Sequence, residues 1–338
     1  MHDRGWQDGD AGGPQPVDVI YICGLGRSGS TILDRLIGQQ AGFVSVGELS
    51  KFWSHVVIAP QRCGCGEQFP DCPFWRKVQE ISPELFDRGR AGAFFALHET
   101  HLRSRSMPRW WLPRGRVRAT NAVPPHYFSF LSHLYSTCSA AAGGATIVDS
   151  SKNPVYALLL ARAPGIRLML VHLVRDPRAV AFSWTRRRLD PGSLVPRYMF
   201  QRGPGRVGAF WSIWNVMCEV AGRAEGLSRM VVRYEDLVCD PEAVRRQVMH
   251  FAGYPVISTP SVGSTVYLGV DHTVSGNPAR FDVGEIEIEI DDEWRHAQNR
   301  RDGRIVTALT APVLHRYGYE LDPGRGSAAS AHLARLGR

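Results

Sequence analysis

At 338 residues the chain could hold two average domains, and a single large α/β unit with insertions is the expectation. Its 40 Lys plus Arg against 32 Asp plus Glu give a formal charge of +8, an excess that suits an anionic ligand without naming it. A nucleic-acid partner is not supported. Arginines are scattered, the run Arg186-Arg187-Arg188 reads as a solvated helix end, and there is no basic tail or RNA-binding aromatic signature. Residues 1–16 are polar and rich in Gly, Asp and Pro, so they read as a disordered leader and not as the apolar core of a secretory signal. No apolar run approaches the roughly 20 residues of a membrane span, so the expectation is a soluble, cytoplasmic protein without a transmembrane segment.

Taken in chain order, Val17 to Cys23 is a continuous β-branched apolar run ending in glycine, the pattern of a fully buried parallel strand. Helical spacing follows from Ser30 through Ile32, Leu33, Leu36 and Ile37, with Gly38 near the exit. A second short strand, Phe43 to Val46, leads into Gly47-Glu48. Residues 50–142 carry aromatic and basic patches with few strand signals and read as a helical insertion. Three further strands are expected at Ala145 to Asp149, Leu168 to Val174 and Met230 to Tyr234, with helices starting near Pro154, Pro177 and Pro241. This alternation predicts a P-loop-like α/β fold: a parallel sheet of about five strands with helices on both faces. A terminal helix is expected over Asp291 to Tyr317. The domain then spans 17–322, and 323–338 read as a flexible tail.

In such sheets ligands bind beyond the carboxyl ends of the strands. Gly24 to Ser30, Glu48, Ser150 to Lys152, Arg175 and Tyr234-Glu235 all fall at such ends. The first of these, Gly24-Leu25-Gly26-Arg27-Ser28-Gly29-Ser30-Thr31, is a glycine-rich turn opening a helix, which offers backbone amides and a positive dipole end to phosphate or sulfate. Three ligand readings compete there with a bare structural turn. Gly24 and Gly29 have the spacing of a triphosphate-binding turn, but Ser30 stands where that motif needs lysine. Gly24-x-Gly26-x-x-Gly29 also matches the dinucleotide fingerprint, with Glu48 about where a ribose-binding acid belongs, so a nicotinamide-dependent oxidoreductase stays open. The third reading rests on Arg175-Asp176-Pro177-Arg178 with Ser183 on the next helix. An arginine at a strand exit and a hydroxyl two turns later could clamp a second phosphate.

With both motifs in place, the sequence resembles the sulfotransferases that use 3'-phosphoadenosine 5'-phosphosulfate, in particular a bacterial branch with a glutamate after the second strand. Arg27-Ser28-Gly29-Ser30-Thr31 is similar to that family's 5'-phosphosulfate loop, and Val174-Arg175-Asp176-Pro177-Arg178 through Ser183 to its 3'-phosphate motif. Further similarity runs through Val148 to Lys152, Arg233 to Leu237, His272 to Phe281 and the Cys-Gly-Cys-Gly loop before Phe74-Trp75. The resemblance implies a donor held by Gly26, Arg27, Ser28, Gly29, Ser30 and Thr31, with Arg175, Ser183 and Arg280 on the 3'-phosphate and Tyr234 near the adenine. It implies catalysis by Arg27, Lys152 and Glu48. Glu48 would be the base, a task favouring a carboxylate whose pKa is raised by partial burial. The acceptor would be a hydroxyl of a small molecule, carbohydrate, lipid or natural product, and transfer needs no metal. A nucleotide-binding module without catalysis remains the non-enzyme alternative.

Cysteines and aromatics outside these motifs have open readings. Cys63, Cys65 and Cys72 cluster in a Gly/Pro loop as C-x-C-x6-C and fit reduced packing thiols, a disulfide, or a zinc site with His55 as the nearest fourth ligand. His55, His126, His133 and His172 read as packing histidines. Trp53, Trp110, Trp111, Tyr127, Phe128 and Phe130 read as core, with an acceptor cleft as the alternative.

Overall fold

The computed structural model describes residues 16–102, 109–110, 112–224, 226–255 and 264–322; apart from Pro16, the expected leader and tail lie outside them. Five strands form one parallel sheet: β1 (Val17–Cys23), β2 (Phe43–Gly47), β3 (Thr146–Lys152), β4 (Ile166–Val174) and β5 (Arg229–Arg233), in the order β2-β3-β1-β4-β5. β1 sits in the middle, so alternate residues are buried on opposite faces. Val19, Tyr21 and Cys23 join one core with Ile147, Leu168 and Leu170. Ile20 and Ile22 join the other with Val148, Val171 and Leu173. This is why the strand reads as an apolar run from Val19 onward, whereas Asp18, at the partly buried entry of the strand, breaks the run and pairs with Arg167.

Helices cover both faces. On the side of Ile20 and Ile22 lie α1 (Ser30–Gly38) and the helix Pro241–Phe251. The other side carries the helical stretch between β2 and β3, including Pro73–Ile81, Arg88–Leu102 and Pro125–Ala141, together with Pro154–Leu160 after β3. Trp53, Trp110, Tyr127 and Phe130 are buried here, as the core reading expects, while Trp111 lies outside the described residues.

Several boundaries differ from the sequence reading. β3 runs on through Ser150-Ser151-Lys152, because a register shift against β1 lets Lys152 pair with Cys23 after the apolar stretch has ended. Tyr234 opens a helix (Tyr234–Cys239) directly at the end of β5 and does not close the strand. The terminal helix is broken into Trp294–Ala297 and Arg300–Leu314 by Gln298, whose backbone is extended. A long helix, Pro204–Ala224, packs against Arg300–Leu314, and a two-stranded antiparallel ribbon joins Thr265–Leu268 to Gly284–Glu287. Arg186 is not simply solvated: it pairs with Asp291 at 3.5 Å and with Glu293. No helix among the described residues is long and apolar enough to cross a membrane.

Candidate active site

Strand order reverses about β1, and the turn leaving β1 opens at that reversal, where parallel sheets place ligands. The turn is seated by close backbone approaches. Gly24, at φ +152°, donates its amide to the Lys152 carbonyl at 3.2 Å, and a Cβ there would stand 2.2 Å from the Leu173 carbonyl oxygen. Gly29, at φ +89°, lies against the Tyr234 ring, which a Cβ would meet at 2.6 Å. α1 then starts at Ser30 with no side-chain cap, so its first amides are available to an anion. Ser28, Ser30 and Thr31 are all buried, and Thr31 Oγ1 accepts the Asn277 amide at 3.1 Å.

Glu48 emerges beside this turn at the exit of β2. Its Oε1 is 2.6 Å from Lys152 Nζ and its Oε2 is 2.7 Å from Lys51 Nζ, and Lys152 also donates to the Ser150 carbonyl at 3.0 Å. Burial pushes the Glu48 carboxyl up, but the Lys152 and Lys51 ammonium groups outweigh it and hold the pKa well below the usual range. This corrects the expectation of a raised pKa. Burial here comes with two cations, and a carboxylate so paired is ionised at any physiological pH. Among the described residues, Arg27 and Lys152 are the non-glycine residues at positive φ, at 76° and 67°. Backbone strain of this kind is held in place only by surrounding structure and gathers at functional sites.

Two hollows meet at this point. One, of about 280 Å³, is walled by Gly26, Arg27, Gly29 to Ile32, Arg197, Ser275 to Asn277 and Arg280, with Ser28 buried behind the turn and not lining it. The other, of about 620 Å³, is walled by Phe95, His98, Glu99, Leu102, Phe210 and Trp214 among others. Gly26, Glu48, Lys51, His55, Lys152 and Trp184 face both. His55 is therefore not simply a core histidine. Its Nδ1 is buried without a partner among the described residues, and burial, with Lys51 next, pulls its pKa down to about 4. The ring is neutral and borders Glu48's hollow. The aromatics of the larger hollow are not those singled out in the sequence, since Trp53 and its neighbours are consumed by core packing.

The remaining predicted residues occupy distinct places. Arg27 stacks 5.5 Å from the Trp184 ring and donates to Asn277 Oδ1 at 3.4 Å. Arg280 is buried, donating to the carbonyls of Thr273 (3.2 Å) and Arg62 (2.8 Å), and so braces the wall of the smaller hollow. Arg175 lies behind the turn. It donates to the Arg27 carbonyl at 3.1 Å, stacks 4.1 Å from the Tyr234 ring and pairs with Asp291 at 3.1 Å. Its Nε has no partner among the described residues. Ser183 is buried on the helix Pro177–Thr185, and neither it nor Arg175 lines the two hollows. In this structure Asp291 supplies the negative charge that Arg175 faces.

A buried parallel sheet, a glycine turn opening an uncapped helix at its strand reversal, and a carboxylate gripped by lysines beside that turn define an α/β protein whose site chemistry suits an anionic ligand. A sequence model described as the sulfotransferase family matches residues 18–258, and the chain belongs to that family. The match gives no support to the nicotinamide reading. Carbohydrate sulfotransferase 3 of Mus musculus is 25% identical over 191 residues, which is 52% of this chain and 39% of that protein. The Homo sapiens protein of the same name is 27% identical over 177 residues, 48% of this chain and 36% of that one. The chain thus matches well under half the length of these curated relatives. Among solved structures, the sulfotransferase domain from the curacin biosynthetic pathway aligns with a TM-score of 0.49 at 19% identity, covering 91% of this chain and all of that one. The sulfotransferase domain from the Synechococcus PCC 7002 olefin synthase aligns at 0.46 and 18%, covering 94% of this chain.

Proposed function

We propose that the protein transfers a sulfuryl group from 3'-phosphoadenosine 5'-phosphosulfate to a hydroxyl, with a carbohydrate as the favoured acceptor and a glycolipid or natural product within the same chemistry. The observation that carries this is the meeting of Glu48 and Lys152 at the junction of the two hollows, directly beside the glycine turn. The amides and hydroxyls of Ser28 to Thr31, with Arg27, would hold the donor's 5'-phosphate. Lys152 would place its ammonium on the bridging oxygen as charge builds there. Glu48 would accept the proton as the acceptor oxygen bonds to sulfur and the bond from sulfur to the bridging oxygen breaks, leaving adenosine 3',5'-bisphosphate. Such transfer depends on in-line placement and charge neutralisation, which pre-set cations and amides supply.

Arg175, Ser183 and Arg280 would serve the 3'-phosphate, and Tyr234 the adenine. That assignment requires Asp291 to yield Arg175 to the phosphate. A carbohydrate acceptor is supported by the names of the curated relatives and by the larger hollow, where Phe95, Phe210 and Trp214 offer ring faces beside the polar groups of His98 and Glu99. Calorimetry tests the donor half: adenosine 3',5'-bisphosphate should bind far more tightly than adenosine 5'-phosphate, and equal affinities would sink the proposal. A transfer screen with labelled donor, read by mass, tests the acceptor half.

A further inference from the structure

Away from the transfer chemistry, the loop Arg62 to Cys72 brings three thiols to one imidazole. Cys72 Sγ is 3.5 Å from Cys63 Sγ and 3.2 Å from His272 Nδ1, Cys63 Sγ is 3.9 Å from the same Nδ1, and the ligand atoms of Cys63, Cys65, Cys72 and His272 all lie within 4.8 Å of one another. All three cysteines are free thiols. A tetrahedral zinc with Zn–S of about 2.3 Å and Zn–N of about 2.0 Å sets its ligand atoms roughly 3.5–3.8 Å apart, so the spacing already approximates such a site. His55, the fourth ligand suggested by sequence proximity, instead borders Glu48. The partner is 200 residues further on than Cys72.

We propose that Cys63, Cys65, Cys72 and His272 bind one zinc ion in a closed tetrahedral site that fastens the Cys-Gly-Cys-Gly turn to the segment carrying Ser275, Asn277 and Arg280.

The surroundings are those of a built ligand set. The His272 ring lies flat on Phe74, with centroids 5.4 Å apart and planes within 12°, and its carbonyl accepts the Trp75 indole N–H at 2.9 Å, so its orientation is fixed from two sides. The turn is closed by Gly66 N–H to the Cys63 carbonyl (2.9 Å) and Cys63 N–H to the Glu67 carbonyl (2.8 Å). Gly64 presses so closely on the facing segment that a Cβ would meet Asp271 Oδ1 at 2.3 Å and Thr273 Oγ1 at 2.4 Å. Cys72 stands at the N-cap of the helix Pro73–Ile81, where the dipole favours a thiolate. Four protein ligands, with Cys63 and Cys72 fully buried, leave no open coordination position, so the ion's role is structural. What it would anchor matters to the neighbouring hollow. Gly64 N–H donates to the Thr273 carbonyl at 3.0 Å, Arg280 ties that carbonyl to the carbonyl of Arg62, and the same segment then reaches Thr31 and Lys51 through Asn277 and Ser275.

The test is metal content, which is independent of any transfer activity. The full chain, expressed without a polyhistidine tag and dialysed under reducing conditions, should carry about one zinc per chain by plasma mass spectrometry, held in an S₃N shell by X-ray absorption. His272→Ala and Cys72→Ser should lose the ion and melt at a lower temperature, whereas H272C should keep it. Zinc-free protein that takes up none on titration would overturn the site. So would zinc that persists unchanged in both loss variants, a stoichiometric copper or iron in its place, or a native disulfide mapped by peptide mass to Cys63, Cys65 or Cys72.

Discussion

Lys152 Nζ and Glu48 Oε1 stand 2.6 Å apart, each delivered by the carboxyl end of a different strand, β3 and β2, which are adjacent in the sheet. Paired in this way each neutralises the group that the proposed reaction needs free. A donor whose bridging oxygen draws Lys152 would release the carboxylate to act as base, so that binding prepares the proton acceptor. Glu48→Gln should therefore keep adenosine 3',5'-bisphosphate affinity within about threefold by calorimetry while kcat falls by about 10²–10⁴. Full activity in that variant would remove Glu48 as the base.

Lys152→Ala should lower kcat by about 10²–10³, the usual effect of removing one donor from a developing oxyanion. It should also change the pH profile. Lys152 is the leading influence holding the Glu48 carboxyl down against burial, so its loss moves that pKa upward and brings the acid limb of kcat/KM to higher pH. Lys51→Ala, whose side chain is 42% exposed, should do the same more weakly. An acid limb unmoved in both variants would break the link between these groups.

Arg175 faces Asp291 at 3.1 Å, the position in which the proposed 3'-phosphate would compete. Asp291→Asn removes that competitor and should tighten adenosine 3',5'-bisphosphate binding by roughly tenfold, about 1.4 kcal/mol, with adenosine 5'-phosphate unchanged. Arg175→Ala should erase the preference for the bisphosphate. An Asp291→Asn variant that binds the two nucleotides as the parent does would take Arg175 out of the phosphate site.

The sheet and its turn are legible in the sequence because their causes are local. Val19 to Cys23 is buried on both faces, so each of these residues is apolar, and the glycines follow where backbone must approach backbone. Groups set by tertiary contact are hidden. Lys51, His55, Asp291 and His272 reach their positions only because the 49–58 segment turns back across β3 and the 270–293 segment crosses over α1, and no periodicity reports either path. The same holds for Lys152 as a strand residue, since its pairing with Cys23 follows a register shift.

Glycine substitutions separate strain from crowding in the turn. Gly29→Ala would put a methyl group 2.6 Å from the Tyr234 ring at φ +89°, and should lower stability by at least about 2 kcal/mol in urea titration and impair nucleotide binding. Gly42→Ala has a similar φ of +82° but open space around it, so it should cost only about 1 kcal/mol and leave binding intact. Equal effects from the two would show that the approach of Tyr234 does not constrain the turn.

Asp149 gives the clearest pH signature in stability. It is fully buried at the centre of the sheet, and burial raises its pKa to about 6 even though Ser151 and Tyr135 donate hydrogen bonds to it. A carboxyl raised in the folded state favours folding while protonated. Its contribution is fully present below the ordinary carboxylate pKa, declines as pH rises through about 6, and is absent above. A shift of this size corresponds to roughly 3 kcal/mol. His55, His98 and His172 pull the other way, because burial holds each near 4 and their contribution is lost as pH falls from about 6.5 towards 4. The raw stability profile mixes the two. The difference between the parent and Asp149→Asn isolates the carboxyl: the variant should gain on the parent steadily from pH 4.5 to 6.5 in denaturant titrations and hold a constant margin above that. A difference independent of pH would mean that Asp149 remains ionised in the folded protein, with Tyr135, Ser151 and Lys152 compensating its burial.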